Sequence, residues 1–232
     1  MYPRLRHIKP SLISTFKMTI LEIAQVAFKQ DAALYKEVKE GVLPGLITNL
    51  QKSGVRNGLF GPLKRENGRD VSKECRMVLF LEWPAREYFD KFITSPGYKD
   101  FGGKVKPYAA GPPNLKLFDV DDVSVSTLFG PDTVIEYLAI KPKDASEESC
   151  KNILQQVQSR LPQPGTAQVV AGSSVNLETR EIALVSLYAS DAELDAANAS
   201  AARQQLLADI AGTADVTSLV AQVKKEIPIA EK

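Results

Sequence analysis

Two glutamates stand at matching places in two apolar stretches of this 232-residue chain. Glu22 lies in the run 19–23 (TILEI), and Glu136 lies in the run 133–137 (TVIEY). On a buried strand a carboxylate loses its hydration, which costs several kcal/mol and raises its pKa towards neutrality. A carboxylate of that kind can act as a general base near pH 7, and we take Glu22 as the candidate catalytic base.

A structural role would explain the same two glutamates. On an edge strand each carboxylate would face water. In a covered sheet each would form a buried ion pair, with Arg76 or Arg180 as the cation across the sheet. The sequence leaves both alternatives open.

Aromatic side chains are concentrated in the first half of the chain. The predicted substrate-binding residues are Trp83, Tyr88, Phe92 and Tyr35, and Tyr98 is the predicted phenol donor to a substrate carbonyl. Such residues can equally fill a core or an interface, and a Trp at the end of a central strand is often the largest core side chain. The matching stretch of the second half, 192–202, is rich in alanine and has no aromatic residue. We therefore expect the pocket in the first half and a structural partner in the second.

The two halves repeat one order of features, which indicates a duplicated unit. After each glutamate run comes a second matching run, 83–85 (WPA) in the first half and 188–190 (YAS) in the second. We predict an N-terminal arm over 1–18, a first unit over 19–120 and a second unit over 133–232.

Hydrophobic periodicity predicts strand–helix–strand–strand–helix–strand in each unit. In the first unit the predicted strands are 19–28, 55–63, 74–83 and 115–120, and the predicted helices are 31–53 and 85–93. In the second unit the predicted strands are 134–140, 167–173 and 182–188, and the predicted helices are 147–161 and 191–210, the latter capped by Asp191. The stretch 215–225 fits a strand or a helix. The Asn-Gly pair at 67–68 predicts a hairpin turn.

This order is the ferredoxin-like plan, an α+β unit whose sheet carries helices on one face only. Two such units can press their uncovered faces together, so we expect an intramolecular α+β barrel of two ferredoxin-like repeats. With the runs 19–24 (TILEIA), 83–88 (WPAREY) and 95–101 (SPGYKDF), the chain resembles the dimeric α+β barrel superfamily. The nearer resemblance is to the antibiotic-biosynthesis-monooxygenase branch of fungal type.

The resemblance implies a pocket between sheet and helices, with its working groups on the first strand, the strand that ends in Trp and the following helix. Members of the superfamily include cofactor-free oxygenases, haem-degrading enzymes, polyketide cyclases, isomerases and proteins without known catalysis. Haem-binding and many cyclase members carry a His on the helix after the Trp. Here the only histidine is His7, in the N-terminal arm, so we expect no haem held by that His, no His-based metal site and no cofactor.

The expected function is therefore a cofactor-independent enzyme that acts on a small hydrophobic metabolite of secondary metabolism. The reaction would be an isomerisation, a cyclisation or a cofactor-free oxygenation. The alternative is a non-catalytic ligand-binding or scaffold protein of the same fold.

Bulk properties exclude other classes of partner. Lysine plus arginine number 29 against 28 acidic residues, so no strong field attracts nucleic acid. The apolar runs are shorter than the ~18 residues of a membrane span. The basic cluster of Lys64, Arg65, Arg69 and Lys73 is expected to be a solvated hairpin loop.

The remaining expectations concern compartment and assembly. The chain has two cysteines without metal-ligand spacing, which favours reduced thiols and a cytoplasmic protein. Residues 1–17 are basic and free of acidic residues, so a mitochondrial targeting role for this arm is the alternative. An exposed strand edge would let two copies pair as a homodimer.

Overall fold

The computed structural model describes residues 18–121, 133–160 and 169–227. We refer to residues 18–121 as the first half and to 133–227 as the second half. The predicted targeting arm, residues 1–17, lies outside the described residues, as does most of the predicted connection between the units. Both therefore stay predictions.

The first half contains five strands, the third of them only two residues long. They are β1 Met18–Ala27, β2 Asn57–Glu66, β3 Arg69–Asp70, β4 Arg76–Trp83 and β5 Asn114–Asp121. The long strands are antiparallel neighbours in the order β2-β4-β1-β5. The predicted Asn-Gly turn joins β2 to β3, and Asn67 and Gly68 both have the positive φ that such a turn requires.

The helices of the first half cover one face of this sheet. The predicted helix at 31–53 is α1 Ala32–Glu37, a π-helical turn Val38–Val42 and α2 Leu43–Lys52, so a π-turn interrupts the α-helical geometry. After β4 come α3 Arg86–Thr94 and α4 Pro96–Val105. The helix α4 was not predicted, because Ser95 and Pro96 look like a helix stop although here they begin a helix, with Ser95 as its N-cap.

The second half has the same strand order. Its strands are β6 Thr133–Pro142, β7 Val169–Ser174, β8 Ile182–Tyr188 and β9 Ala214–Ile227, arranged β7-β8-β6-β9. Its helices are α5 Glu147–Gln158, α6 Asp191–Ala199 and α7 Ala201–Ala211. The ambiguous stretch 215–225 is therefore a strand.

Two antiparallel pairings between the halves close the sheets into one barrel of eight long strands. β5 pairs with β7, and β2 pairs with β9. The structure is thus α+β with a closed antiparallel barrel, which confirms the expected barrel. None of the helices in the described residues is both long and apolar enough to cross a bilayer.

The barrel interior is a single apolar core built by both halves. Alternate strand residues point inward, so Leu21 and Ile23 of β1 share one cluster with Ile135 and Tyr137 of β6. Each such fully buried aliphatic side chain contributes about 1.5–3 kcal/mol. The residues between them, including Glu22, therefore face outward, towards the helices.

Polar contacts also join the halves. Inside the barrel, Lys116 Nζ of β5 donates to Glu181 at 2.7 Å, and the Tyr137 hydroxyl donates to the same carboxylate. Burial, with the nearby Glu181 charge, raises the pKa of Tyr137, which keeps this phenol protonated. Outside the barrel, Arg65 Nη2 binds Asp191 at 3.0 Å.

Two expectations from the sequence were wrong. Lys64 and Arg65 do not lie in a solvated loop, because both bind Asp191 at the start of α6. The alanine-rich segment is not one helix capped by Asp191. Ser190 caps α6, and Ser200 interrupts the segment and caps α7 through a hydrogen bond from the Arg203 N–H.

Glycine stands at each of the two places where the halves meet. A Cβ on Gly61 of β2 would lie 1.9 Å from the carbonyl oxygen of Gln222 in β9. A Cβ on Gly172 of β7 would lie 2.3 Å from the carbonyl oxygen of Asp119 in β5. Both strand pairings depend on a close approach that only glycine permits.

We predict that Gly61→Ala destabilises the protein by about 1–3 kcal/mol or more, because the backbone of β2 must move away from β9. Denaturant unfolding measures the loss. Gly103→Ala in α4 is the control, since nothing lies within 4 Å of its added methyl. Unfolding of Gly61→Ala at the same denaturant concentration as the wild type would contradict the prediction.

Candidate functional site

Glu22 is a buried carboxylate that, among the described residues, accepts one hydrogen bond and has no counter-charge. Its side chain lies on the helix-covered face of β1, and the residue is 4% exposed. Trp83 Nε1 donates to Glu22 Oε2 at 2.7 Å. In the part of the chain that the structure describes, no cation pairs with Glu22, and its Oε1 accepts no hydrogen bond. Burial raises the pKa of Glu22 from 4.5 to about 7, although the Trp83 hydrogen bond acts in the opposite direction.

The fold brings three predicted aromatic residues to this carboxylate. The Trp83 ring is fully buried and lies 5.4 Å, centroid to centroid, from the Phe92 ring. Phe92 in turn meets Tyr98 at 5.1 Å. Burial, with the nearby Glu22 charge, raises the pKa of Tyr98, so this phenol stays protonated and able to donate.

The other two predicted binding residues lie elsewhere. Tyr88 is 44% exposed on the outer side of α3 and packs near Gly54. Tyr35 of α1 stacks on Phe28 at 5.4 Å and sits beside Arg76 at the other end of β4. Burial raises the pKa of Tyr35 to about 12. Neither residue is shown in contact with Glu22.

Glu136 occupies the matching position on β6 but has a different environment. It is 2% exposed, and Arg203 of α7 donates to its Oε2 through Nη2. Ser218 Oγ donates to Oε1 at 2.9 Å. The alternative of a buried ion pair thus describes Glu136, with Arg203 as the cation in place of Arg180.

The equivalence of the two positions extends to their flanking residues. The Thr19 hydroxyl donates to the Trp83 carbonyl at 2.6 Å, and the Thr133 hydroxyl donates to the Tyr188 carbonyl at the same distance. The halves therefore share a backbone arrangement around each glutamate. What differs is the cation supplied from the helix layer.

A cleft of about 520 Å³ opens in the second half, on the side where the sequence suggested a structural partner. Leu138, Val216 and Leu207 form its apolar part, and Glu136 and Arg203 stand at its polar end. Arg203 was missed at the sequence level. It is the only basic residue in the segment 191–211, and that isolation was the available signal.

The residues after Trp83 offer no histidine to hold a haem iron. Helix α3 contains no histidine, and His7 lies outside the described residues. These residues do not fit a haem held in the way the resemblance implies. Among the described residues, no three His, Cys, Asp or Glu side chains gather as metal ligands.

Comparison with known proteins supports the fold alone. No protein-family profile and no curated protein matches the chain. A putative monooxygenase from Fusobacterium nucleatum is 15% identical, with 94% of this chain and 99% of that chain covered and a TM-score of 0.59. An anthrone oxidase-like protein is 11% identical, with 93% and 97% covered and a TM-score of 0.56. A chlorite dismutase, also described as putative, is 8% identical, with 90% and 96% covered and a TM-score of 0.58.

Glu22 should make stability fall as pH rises. Its folded pKa of about 7 exceeds the 4.5 of an exposed carboxyl, so the folded state holds this proton more tightly than the unfolded chain does. The stabilisation is complete below pH 4.5 and is lost as pH rises through 7, by on the order of 3 kcal/mol. The measurement is the difference in unfolding free energy between the wild type and Glu22→Gln from pH 4 to 8. A difference that does not change with pH would contradict the raised pKa.

The Arg203–Glu136 pair gives a second stability prediction. Arg203→Met leaves a buried carboxylate without its cation and should cost about 3–5 kcal/mol. The double variant Glu136→Gln, Arg203→Met removes both charges and should recover most of this loss. If the double variant unfolds as easily as the single one, the ion pair is not what Arg203 contributes.

Proposed function

We propose that this protein is a cofactor-independent enzyme that removes a proton from a small hydrophobic metabolite, with Glu22 as the base. The substrate would carry a C–H group acidified by a conjugated carbonyl. The observation that carries the proposal is a buried carboxylate that pairs with no cation of the described residues and whose pKa is raised to about 7. A base tuned to the working pH is suited to carbon deprotonation.

The contacts of Glu22 assign a role to each neighbour. Trp83 holds Oε2 through its indole N–H, which leaves Oε1 to accept the proton. Tyr98 remains protonated because of burial and the Glu22 charge, so its phenol can donate a hydrogen bond to the oxyanion that forms on the substrate carbonyl. Phe92 and Trp83 exclude water from the carboxylate.

The chemistry proceeds from the enolate. Glu22 takes the proton, and the C–H electron pair moves into the carbonyl to form the oxyanion. Return of the proton to another carbon gives an isomerisation, and attack of the enolate on an electrophilic carbon of the same molecule gives a cyclisation. Molecular oxygen, if it is the co-reactant, forms a C–O bond with the enolate carbon and is reduced to a peroxide, which takes the proton held by Glu22 to give a hydroperoxide. Loss of water from that hydroperoxide, with the remaining hydrogen of the same carbon, leaves a new carbonyl.

We also propose that the fold arose by duplication of one unit. The identical strand order of the halves and the matching Thr19 and Thr133 hydrogen bonds support two ferredoxin-like repeats that arose by duplication. The runs around Trp83 and Tyr98 support a place in the antibiotic-biosynthesis-monooxygenase branch of fungal type. Membership of that branch would imply a role in secondary metabolism.

A non-catalytic binding or scaffold function is the second candidate. It is favoured by the packing around Glu22, since Trp83 is fully buried and Phe89 meets it edge-on at 6.0 Å. Ligand access to Glu22 then requires α3 and α4 to move away from the sheet. Turnover of a suitable probe separates the two candidates.

Anthrone is that probe, chosen because one protein of this fold is described as anthrone oxidase-like. Its methylene is acidified through the rings by the carbonyl, and oxidation with one O₂ gives anthraquinone and water. The wild type should accelerate exchange of the methylene protons in D₂O under nitrogen, with a rate that rises with pH around 7. Glu22→Gln should reduce the rate about 100-fold or more.

Glu136→Gln is the matched control, since it removes the equivalent carboxylate from the other half and should retain the exchange activity. Oxygen uptake in air then distinguishes oxygenation from simple proton transfer. A wild-type rate no higher than that of Glu22→Gln would favour the non-catalytic candidate.

A further inference from the structure

The cleft of the second half is separate from the Glu22 site. It lies between α7 and the strands β6 and β9, and the turn residue Asn67 of the first half also lines it. None of the residues described around Glu22 is among its lining residues. Its volume of about 520 Å³ lies in the range of small-molecule sites.

The polar end of the cleft contains hydrogen-bond donors that have no acceptor among the described residues. Arg203 gives Nη2 to Glu136, while its Nε is buried and has no hydrogen-bond partner among the described residues. Asn67 uses its backbone N–H and its Oδ1 to bind Ser218, at 2.8 and 2.9 Å. The Asn67 Nδ2 group donates to none of the described residues. The Arg203 Nε is a buried donor without an acceptor, which is costly, so a ligand acceptor beside it would be stabilised. Asn67 is exposed, and its amide is a further donor for the same ligand.

The charges of the cleft select against an anion. The guanidinium of Arg203 is already compensated by the Glu136 carboxylate, and Asp215 adds a negative charge at the rim. A ligand carboxylate would therefore meet two acidic groups and one cation that is already paired. A neutral acceptor avoids this repulsion and can still receive the free donors.

We infer that this cleft binds a neutral small molecule with a carbonyl or carboxamide head and an apolar body. The head accepts hydrogen bonds from the Arg203 and Asn67 end. The body lies against Leu138, Leu207 and Val216. The site is thus a second ligand site, and it does not depend on catalysis at Glu22.

A matched pair of ligands tests the charge preference. 3-Phenylpropanamide and 3-phenylpropanoate have the same apolar body and differ in the head, which is a neutral carboxamide in the first and a carboxylate anion in the second. In a titration of the full chain followed by NMR, the amide should bind at least five-fold more tightly than the carboxylate. The largest shifts should fall on the Asn67 side-chain amide and the Arg203 Nε–H.

Matched variants on α7 test the location. Leu207→Trp fills the apolar part of the cleft and should weaken amide binding ten-fold or more. Gln204→Trp, an exposed position on the same helix and outside the cleft, should leave it unchanged. Glu22→Gln should also leave it unchanged, which separates this inference from the proposed function. Equal or tighter binding of the carboxylate, absence of amide binding up to its solubility, or unchanged binding in Leu207→Trp would overturn the inference.

Discussion

The structure depends on burial of the inner faces of two half-sheets against each other. Helices cover only the outer face of each half, so an isolated half would expose a surface that includes Leu21 and Ile23, or Ile135 and Tyr137. Closing the barrel buries both surfaces in one core. Because side chains alternate along a strand, closure also forces Glu22 and Glu136 outward into the layer beneath the helices. With glutamate at both positions, the fold therefore buries two carboxylates.

The two halves deal with this buried carboxylate in opposite ways. In the second half Arg203 and Ser218 bind both oxygens of Glu136, which leaves a stable ion pair beside an open cleft. In the first half the helix layer supplies aromatic rings such as Phe92, and Trp83 at the end of β4 donates its indole N–H to Glu22. Glu22 therefore carries an uncompensated desolvation penalty, and its proton affinity is raised. On the proposed function, the carboxylate of the second half contributes stability and that of the first half performs the chemistry.

Sequence patterns predicted most of the strands, since those near Glu22, Trp83 and Tyr188 are bounded by clear turn signals. The family resemblance, and not periodicity, implied working groups on the first strand and on the strand that ends in Trp, and Trp83 of β4 does donate to Glu22 of the neighbouring β1. Sequence patterns could not locate Arg203, which is 67 residues from Glu136 and meets it only after α7 packs on the sheet. The split of the alanine-rich helix at Ser200 was missed, because serine is tolerated inside helices and reveals its capping role only through local geometry. The cleft arises from the spacing of α7 above β9, which residue periodicity does not encode.

Native-state hydrogen exchange tests the shared core most directly. The account predicts that amides of Leu21 and Phe80 in the first half and of Val185 and Val223 in the second half exchange only through global unfolding, with the same free energy. It also predicts that they respond alike to added denaturant. Exchange of one set at a clearly lower free energy than the other would show that a half opens independently, and would contradict a barrel held together by one core.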